Sequence, residues 1–335
     1  MALLDIRALR TGFTTATGHV TALHDVSLSI DRGETLALVG ESGSGKSVTA
    51  CSILRLLPRR VARVTGGQIL FNGADLLALD DRAMQGIRGN RIAMIFQEPM
   101  SALNPVMRIG DQIIEAVRLH RRVTHAEAHA RALALLEQVR MPSPRERAND
   151  FPHQLSGGMR QRAMIAIALA CEPDLLIADE PTTALDVTTQ AQILALLKRL
   201  QAETGMAMLL ITHDLGVVAE TADRAAVMYA GRVVEQGPVE ALLTRPAHPY
   251  TAGLLASLAI ETLPPGSRLP EIPGTVPPLS AMPAGCAFAL RCTHAVARCR
   301  TEVPVLEPAG SGEVACHARL RVPSPTVIEI EEVAA

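Results

Sequence analysis

The sequence predicts an α/β fold with a parallel central sheet, and three observations carry that prediction. Leu175–Ala178 and Met208–Ile211 are continuous apolar runs flanked by helical patterns, as strands buried on both faces of a parallel sheet are. Thr35–Val39 is a third such run. It leads into the glycine-rich stretch Gly40–Ser47 (GESGSGKS), and helical spacing follows over Val48–Leu57 until Pro58 ends it. Before this core, residues 1–39 alternate apolar and polar with a turn at Asp31–Gly33, which predicts antiparallel strands. Residues 66–79 add a strand and a turn at Asn72–Gly73, and Ile92–Phe96 is a core strand ending at Gln97. From Met100 to about Gln154 the pattern is helical, with Thr124–Val139 amphipathic. Past about Thr244 prolines cluster, and four of the six cysteines fall in the last fifty residues. A boundary near Arg245 therefore divides residues 1–245, with a helical subdomain at about 98–160, from a C-terminal extension, residues 246–335.

Composition narrows the function classes. A length of 335 residues suffices for two domains and a sizeable core. The formal net charge is −2, so no basic footprint for nucleic acid is visible and no such partner is expected. Apolar content is 48%, mostly alanine, leucine and valine, with only 2% aromatic residues and no apolar run long enough to span a bilayer. The start MALLDIRALR lacks the features of a signal peptide, so the cysteines are expected in a reducing compartment. Of the 32 Lys+Arg residues only Lys46 and Lys198 are lysine, and Lys46 stands where a compact, flexible ammonium is wanted.

Gly40–Ser47 fits G-x-x-x-x-G-K-[ST], a loop that cradles phosphates. Gly40, Gly43 and Gly45, with Ser42 and Ser44, let backbone N–H groups wrap an anionic chain at the start of a helix whose dipole favours negative charge. Lys46 is placed to reach the outer phosphates of a nucleotide such as ATP, and the Ser47 hydroxyl to ligate Mg²⁺. Asp179 closes the strand Leu175–Ala178, where a carboxylate can hold Mg²⁺, and Glu180 follows it. An acidic pair after a strand is also how a solvated turn reads. In LSGGMRQR (Leu155–Arg162), Ser156, Gly157 and Gly158 precede a helix and form a second anion site by the same helix-start logic.

GESGSGKS, LSGGMRQR and LLIADE (Leu175–Glu180), in that order and followed by PTTALD (Pro181–Asp186), resemble the ATP-binding-cassette (ABC) family. The resemblance implies a P-loop NTPase (RecA-like) core with an antiparallel β subdomain and an inserted helical subdomain. It implies that Glu180 polarises the attacking water, and that Gln97 senses the γ-phosphate and Mg²⁺. His213, in ITHD, would contact the γ-phosphate, and Ser156–Gly158 would close on the nucleotide of an opposite subunit. The family stacks adenine on an aromatic residue; the matching position falls near Thr17, and Phe13 is the nearest candidate. Phe96–Ile113, His248–Leu255 and Gly285–Cys299 further resemble the oligopeptide/dipeptide/nickel branch of ABC importers, so the resemblance covers roughly residues 5 to 320. That branch implies a heterodimer with a second, different ATPase, two membrane permeases, an extracytoplasmic substrate-binding protein, and a place on the cytoplasmic face of the inner membrane. Di- or oligopeptide import is the expected activity, with nickel or glutathione as alternative cargo. A soluble ABC ATPase would show a second nucleotide domain or a long coiled coil, and neither is present.

Cys286, Cys292, Cys299 and Cys316 are spaced C-x5-C-x6-C-x16-C, whereas Cys51 and Cys171 read as core residues. A reducing compartment argues against disulfides. Structural zinc sites pair their cysteines more closely, and iron–sulfur clusters take four thiolates. Spacing alone leaves iron–sulfur, zinc and structural cysteines open. The resemblance implies a [4Fe–4S] cluster; its role is expected to be structural, because nucleotide chemistry needs no electron, and His294 and His317 beside the candidate ligands are expected to be solvated.

Overall fold

The computed structural model describes residues 2–16, 18–183, 185–258, 271–321 and 329–332. Two compact units interleave along the chain: one comprises residues 1–4, 30–35 and 71–211, the other residues 5–29, 36–70 and 212–335.

In the first unit the strands Ile92–Ile95, Leu175–Asp179 and Ala207–Thr212 run parallel, with Ile92 opposite Leu175 and Leu175 opposite Ala207. All five residues of Leu175–Asp179 are buried, which explains the unbroken apolar run of that strand. The helical region expected between Met100 and Gln154 holds Ile109–His120 and His125–Gln138, followed by Gly157–Ala168. Thr124 starts His125–Gln138 with a capping box: its hydroxyl accepts from the Glu127 N–H, and the Glu127 carboxylate takes the Thr124 N–H at 2.7 Å. Gln112 ties down the preceding loop through both amide atoms, accepting from the Asn104 N–H and donating to the Asn104 and Met107 carbonyls.

The second unit carries Gly18–Ile30, Leu4–Thr15 and Ala62–Phe71 side by side in one sheet. Its other strands build from Thr35–Val39, which pairs in parallel with Arg224–Tyr229, Leu36 opposite Arg224. Arg232–Pro238 returns antiparallel through Ala230–Gly231, both at positive φ (46° and 78°), the geometry that a tight two-residue hairpin demands. Gly312–Val314 and Glu307–Ala309 then extend the same run outward from Arg232–Pro238. Residues on both sides of Arg245 thus share one set of strands. They also share a core, because Val227, Tyr229 and Val234 pack with Tyr250, Ala287 and Phe288. The rings meet edge-on, with Tyr229 4.8 Å from Tyr250 and 5.2 Å from Phe288.

One helix departs from the sequence expectation. It covers Lys46–Ile53, beginning inside the glycine stretch and stopping short of Leu57. Arg55 turns into the left-handed region (φ 52°) and the Leu56 N–H returns to the Cys51 carbonyl, so the apolar spacing continues past the point where the backbone leaves the helix. Among the described residues no helix is long and apolar enough to cross a membrane.

His248 starts the helix Pro249–Leu258 by accepting the Tyr250 N–H on Nδ1 at 3.0 Å. It is 1% exposed, and burial drives its pKa down to about 3. A histidine held neutral in the fold but free to protonate when unfolded, near 6.5, gives stability that is complete above 6.5 and declines as pH falls toward 3. Glu235, whose buried carboxylate accepts from the Ala247 and His248 N–H groups, has its pKa raised by burial and works the other way. Replacing His248 by Asn keeps an acceptor at the helix start and removes the titration. The expected result is a flatter loss of stability between pH 6.5 and 5, by up to about 1.4 kcal/mol per pH unit. Tyrosine fluorescence reads it locally, since the chain has no Trp and only two Tyr, both in this cluster. Parallel acid profiles for the two proteins would refute the assignment.

Candidate functional site

The phosphate-type loop leaves the end of Thr35–Val39 and closes on the helix Lys46–Ile53 with no room for a side chain at Gly40 or Gly45. A Cβ on Gly40 would overlap the Met228 carbonyl oxygen, and one on Gly45 would stand 2.8 Å from Leu23 Cδ2. The hairpin behind the loop braces it, because the Gly231 N–H donates to the Ser44 carbonyl at 2.8 Å. Gly231 is equally constrained, since a Cβ there would overlap the Ala22 carbonyl. Gly45 occupies the N-cap at φ 106°, and no side chain caps this helix. Its first N–H groups therefore point at whatever anion the loop receives.

Lys46 is 5% exposed, and its ammonium donates to the Gly40 and Glu41 carbonyls at 2.7 and 3.0 Å. Ser44 Oγ is buried with no hydrogen-bond partner, while Ser42, Gly43 and Ser47 are exposed. A buried cation, an unspent hydroxyl and an uncapped helix start fit a polyphosphate chain. His213 follows the strand Ala207–Thr212 and is exposed, ahead of a helix that Asp214 caps through the Gly216 and Val217 N–H groups. Phe13 is half-buried on Leu4–Thr15.

In the first unit Asp179 is the last residue of its strand and only 4% exposed, a buried carboxylate of the kind a hard divalent cation such as Mg²⁺ takes. Glu180 then turns into the left-handed region at φ 47°, a conformation that costs a non-glycine residue about 1–3 kcal/mol. Two donors hold its carboxylate there: Gln97 Nε2 and Thr183 Oγ1, each at 2.9 Å on the same oxygen. The structure thus brings Gln97 to Glu180 across a sequence separation of 83, and adds Thr183, which the sequence reading did not single out. Ser156 caps Gly157–Ala168 by accepting the Met159 N–H. Gly157 is exposed, and Gly158 lets the helix start approach its neighbour: a Cβ there would lie 2.7 Å from Thr189 Cγ2.

Two further residues, neither singled out by the sequence reading, meet the loop at Glu41. The Arg291 side chain, 6% exposed, donates to both Glu41 carboxylate oxygens at 2.8 and 3.1 Å across a separation of 250 residues. It also donates to the Pro273 and Ile272 carbonyls, and its guanidinium lies over the Tyr229 and Phe288 rings. Burial works against its charge, but the Glu41 hydrogen bonds and the Tyr229 hydroxyl outweigh that, and its pKa is raised. Tyr250 reaches the same residue from another side, its hydroxyl accepting the Glu41 N–H at 2.9 Å.

The four late cysteines gather in one region. The Cys286 N–H donates to the Cys299 carbonyl at 2.8 Å, Cys286 and Cys292 pack against the same core cluster, and the Cys316 thiol donates to the Ala318 carbonyl at 3.1 Å. Burial, reinforced by these neighbours, pushes the Cys286 thiol up to about 11 and the Cys316 thiol up to about 12. Among the described residues no three or more His, Cys, Asp or Glu side chains form a group able to hold a metal ion. His317 corrects the sequence expectation of a solvated ring, because it is only 7% exposed and bonded to the Glu302 carbonyl at 3.1 Å. His294 is half-buried. Cys171 is buried as expected of a core residue, and Cys51 half-buried.

Residues 23–183 match the model of the ABC transporter family, and residues 234–299 that of the oligopeptide/dipeptide transporter C-terminal region. A Brucella melitensis protein described as a peptide import ATP-binding protein is 56% identical over 314 residues, covering 91% of this chain and 93% of its own. The chain belongs to the ATP-binding subunits of ABC transporters. The dipeptide transport ATP-binding protein DppD of Bacillus subtilis is 52% identical over 302 residues, 90% of each chain. A dimeric bacterial ABC transporter cassette of known structure superposes with a TM-score of 0.64 at 31% identity, over 70% of this chain and 98% of that one. The fold is that of an ABC cassette and the activity is ATP hydrolysis.

Two glycines of the loop should respond differently to substitution. Gly40→Ala drives a methyl into a strand carbonyl and is expected to cost about 3 kcal/mol or more. Gly43 sits at φ 79° with nothing within 4 Å of an added Cβ, so Gly43→Ala should cost only the left-handed penalty, about 1–2 kcal/mol. Thermal unfolding of both variants checks the order. A larger loss at Gly43 would show that the loop is braced elsewhere.

Proposed function

We propose that the chain energises the import of di- or oligopeptides from the cytoplasmic face of the cell membrane, as a peripheral subunit. Support for the cargo is the match of residues 234–299 to the oligopeptide/dipeptide transporter C-terminal region, together with the names of its relatives. In this reading residues 1–245 are the ATPase domain and 246–335 the extension characteristic of the branch. The partners are a second, different ATPase, two permeases and an extracytoplasmic binding protein.

The proposed roles follow the chemistry of each residue. Backbone N–H groups of Gly40, Ser42, Gly43, Ser44 and Gly45 hold the phosphates, with Lys46 on the outer ones. Ser47, Asp179 and Gln97 hold Mg²⁺, which when bound neutralises charge developing on the phosphoryl oxygens. Glu180 takes a proton from the attacking water. The observation that carries this role is its strained backbone and its carboxylate fixed by Gln97 and Thr183. His213 contacts the γ-phosphate, Phe13 stacks on adenine, and Ser156, Gly157 and Gly158 present the Gly157–Ala168 helix start to a nucleotide held by the partner ATPase.

Two substitutions separate binding from hydrolysis. Glu180→Gln leaves ATP affinity near wild type and slows single-turnover hydrolysis about 10²–10⁴-fold. Lys46→Ala loses a charge-assisted contact and weakens ATP binding roughly 10-fold or more. Equal loss of binding in both variants would make Glu180 a structural residue.

For the cysteines, the reading is a structural [4Fe–4S] cluster held by Cys286, Cys292, Cys299 and Cys316. Support for it is the closeness of the cysteines in the fold, with Cys286 hydrogen-bonded through its backbone to Cys299 and packed with Cys292 against one core cluster, since four thiolates are what such a cluster would take; the described residues form no group able to hold a single metal ion. Protein purified anaerobically should carry iron and acid-labile sulfide in about equal amounts. Stoichiometric zinc without colour would replace the cluster, and a metal-free, folded extension would remove it.

A further inference from the structure

Glu41 is the first variable residue of the phosphate loop, and its charge has the wrong sign for the loop's ligand. A carboxylate a few ångströms from a polyphosphate opposes binding unless something cancels it. Arg291 supplies that cancellation with two hydrogen bonds, in a setting that fixes the guanidinium before any ligand arrives. The Pro273 and Ile272 carbonyls and the Tyr229 hydroxyl accept its remaining donors, and the Tyr229 and Phe288 rings line it. The main chain of Glu41 is held as well, by the Tyr250 hydroxyl. Residue 41 is therefore gripped at backbone and side chain by two residues beyond position 245. Arg291 adjoins Cys292, and Cys286 and Cys292 both pack against the cluster of Tyr229, Tyr250 and Phe288.

We propose that Arg291 is a positioning residue for ATP: by pairing with Glu41 it neutralises and orients the phosphate loop, so that nucleotide affinity depends on the cysteine-bearing extension. The proposal rests on the ATPase reading and deepens it. A bidentate pair fixes the plane of the carboxylate as well as its charge, which a lysine at the same position would not do. Coupling of this kind is reciprocal, so ATP in the loop should in turn hold the extension more firmly.

The test is a double-mutant cycle in the full-length chain, read by titration with a fluorescent ATP analogue. Arg291→Ala should weaken binding about tenfold, because a bare carboxylate is left beside the phosphates. Adding Glu41→Gln to that variant should bring affinity back to within about threefold of wild type, since the repelling charge is gone while the arginine is still missing. The defect of Arg291→Ala should also shrink in high salt, which screens the bare charge; a packing defect would not respond in that way. Arg291→Lys keeps the charge and the stem and should lose about threefold, again recovered by Glu41→Gln. It carries the test if the alanine variant does not fold. Unchanged affinity in Arg291→Ala, or a double variant no better than the single one, overturns the proposal. Wild-type protein that binds no nucleotide would instead overturn the ATPase reading itself.

Discussion

A loop that wraps phosphate must keep its backbone donors facing the ligand while something else holds its outer side, and much of the second unit is arranged around that requirement. At two points the loop Gly40–Ser47 lies directly against main chain: the Met228 carbonyl behind Gly40 and the Gly231 N–H on the Ser44 carbonyl. These contacts require the hairpin at Ala230–Gly231, which turns through two positive-φ residues and in turn packs on Ala22. Strand, loop, hairpin and helix are thus mutually constrained. A methyl group at either Gly40 or Gly231 would force backbone to move.

Charge is handled differently in the two units. Around the loop, the ammonium of Lys46 is buried on carbonyl oxygens and the carboxylate of Glu41 is matched by a buried guanidinium, so both charges are paired or solvated by the protein. At the end of Leu175–Asp179 the solution is geometric. The strand stays extended through Asp179, and the left-handed turn at Glu180 redirects the next carboxylate toward Gln97 and Thr183. Two neighbouring acids therefore sit in different surroundings, one buried at the strand end and the other held by amide and hydroxyl donors. In the function proposed above, the first would take the metal and the second the water.

The C-terminal extension is part of the second unit's core as well as an appendage to it. Its strands add to Arg232–Pro238, its Phe288 fills the space between Tyr229 and Tyr250, and Gly285 is pressed against the Cys299 carbonyl where a Cβ would overlap. The cysteines therefore stand on a backbone already fixed by packing. In a chain with 2% aromatic residues, the concentration of both tyrosines and Phe288 here marks the place where large rigid rings are needed.

The sequence by itself determined the parts whose physics is local. Apolar runs bury themselves as strands, Thr124–Val139 has helical spacing and forms a helix, and the glycine pattern with Lys46 between a strand and a helix points to an anion loop. It also placed Asp179 at a strand end and Ser156 at a helix start, where the structure has them. Local pattern misled where a turn residue intervened: the apolar spacing through Leu57 outlasted the helix that Arg55 ends, and His317 read as solvated although it is buried. Only the tertiary structure decided the pairs formed across long stretches of chain. Gln97 meets Glu180, and Arg291 meets Glu41, because strands and loops distant in sequence converge, and no periodicity encodes a partner 83 or 250 residues away.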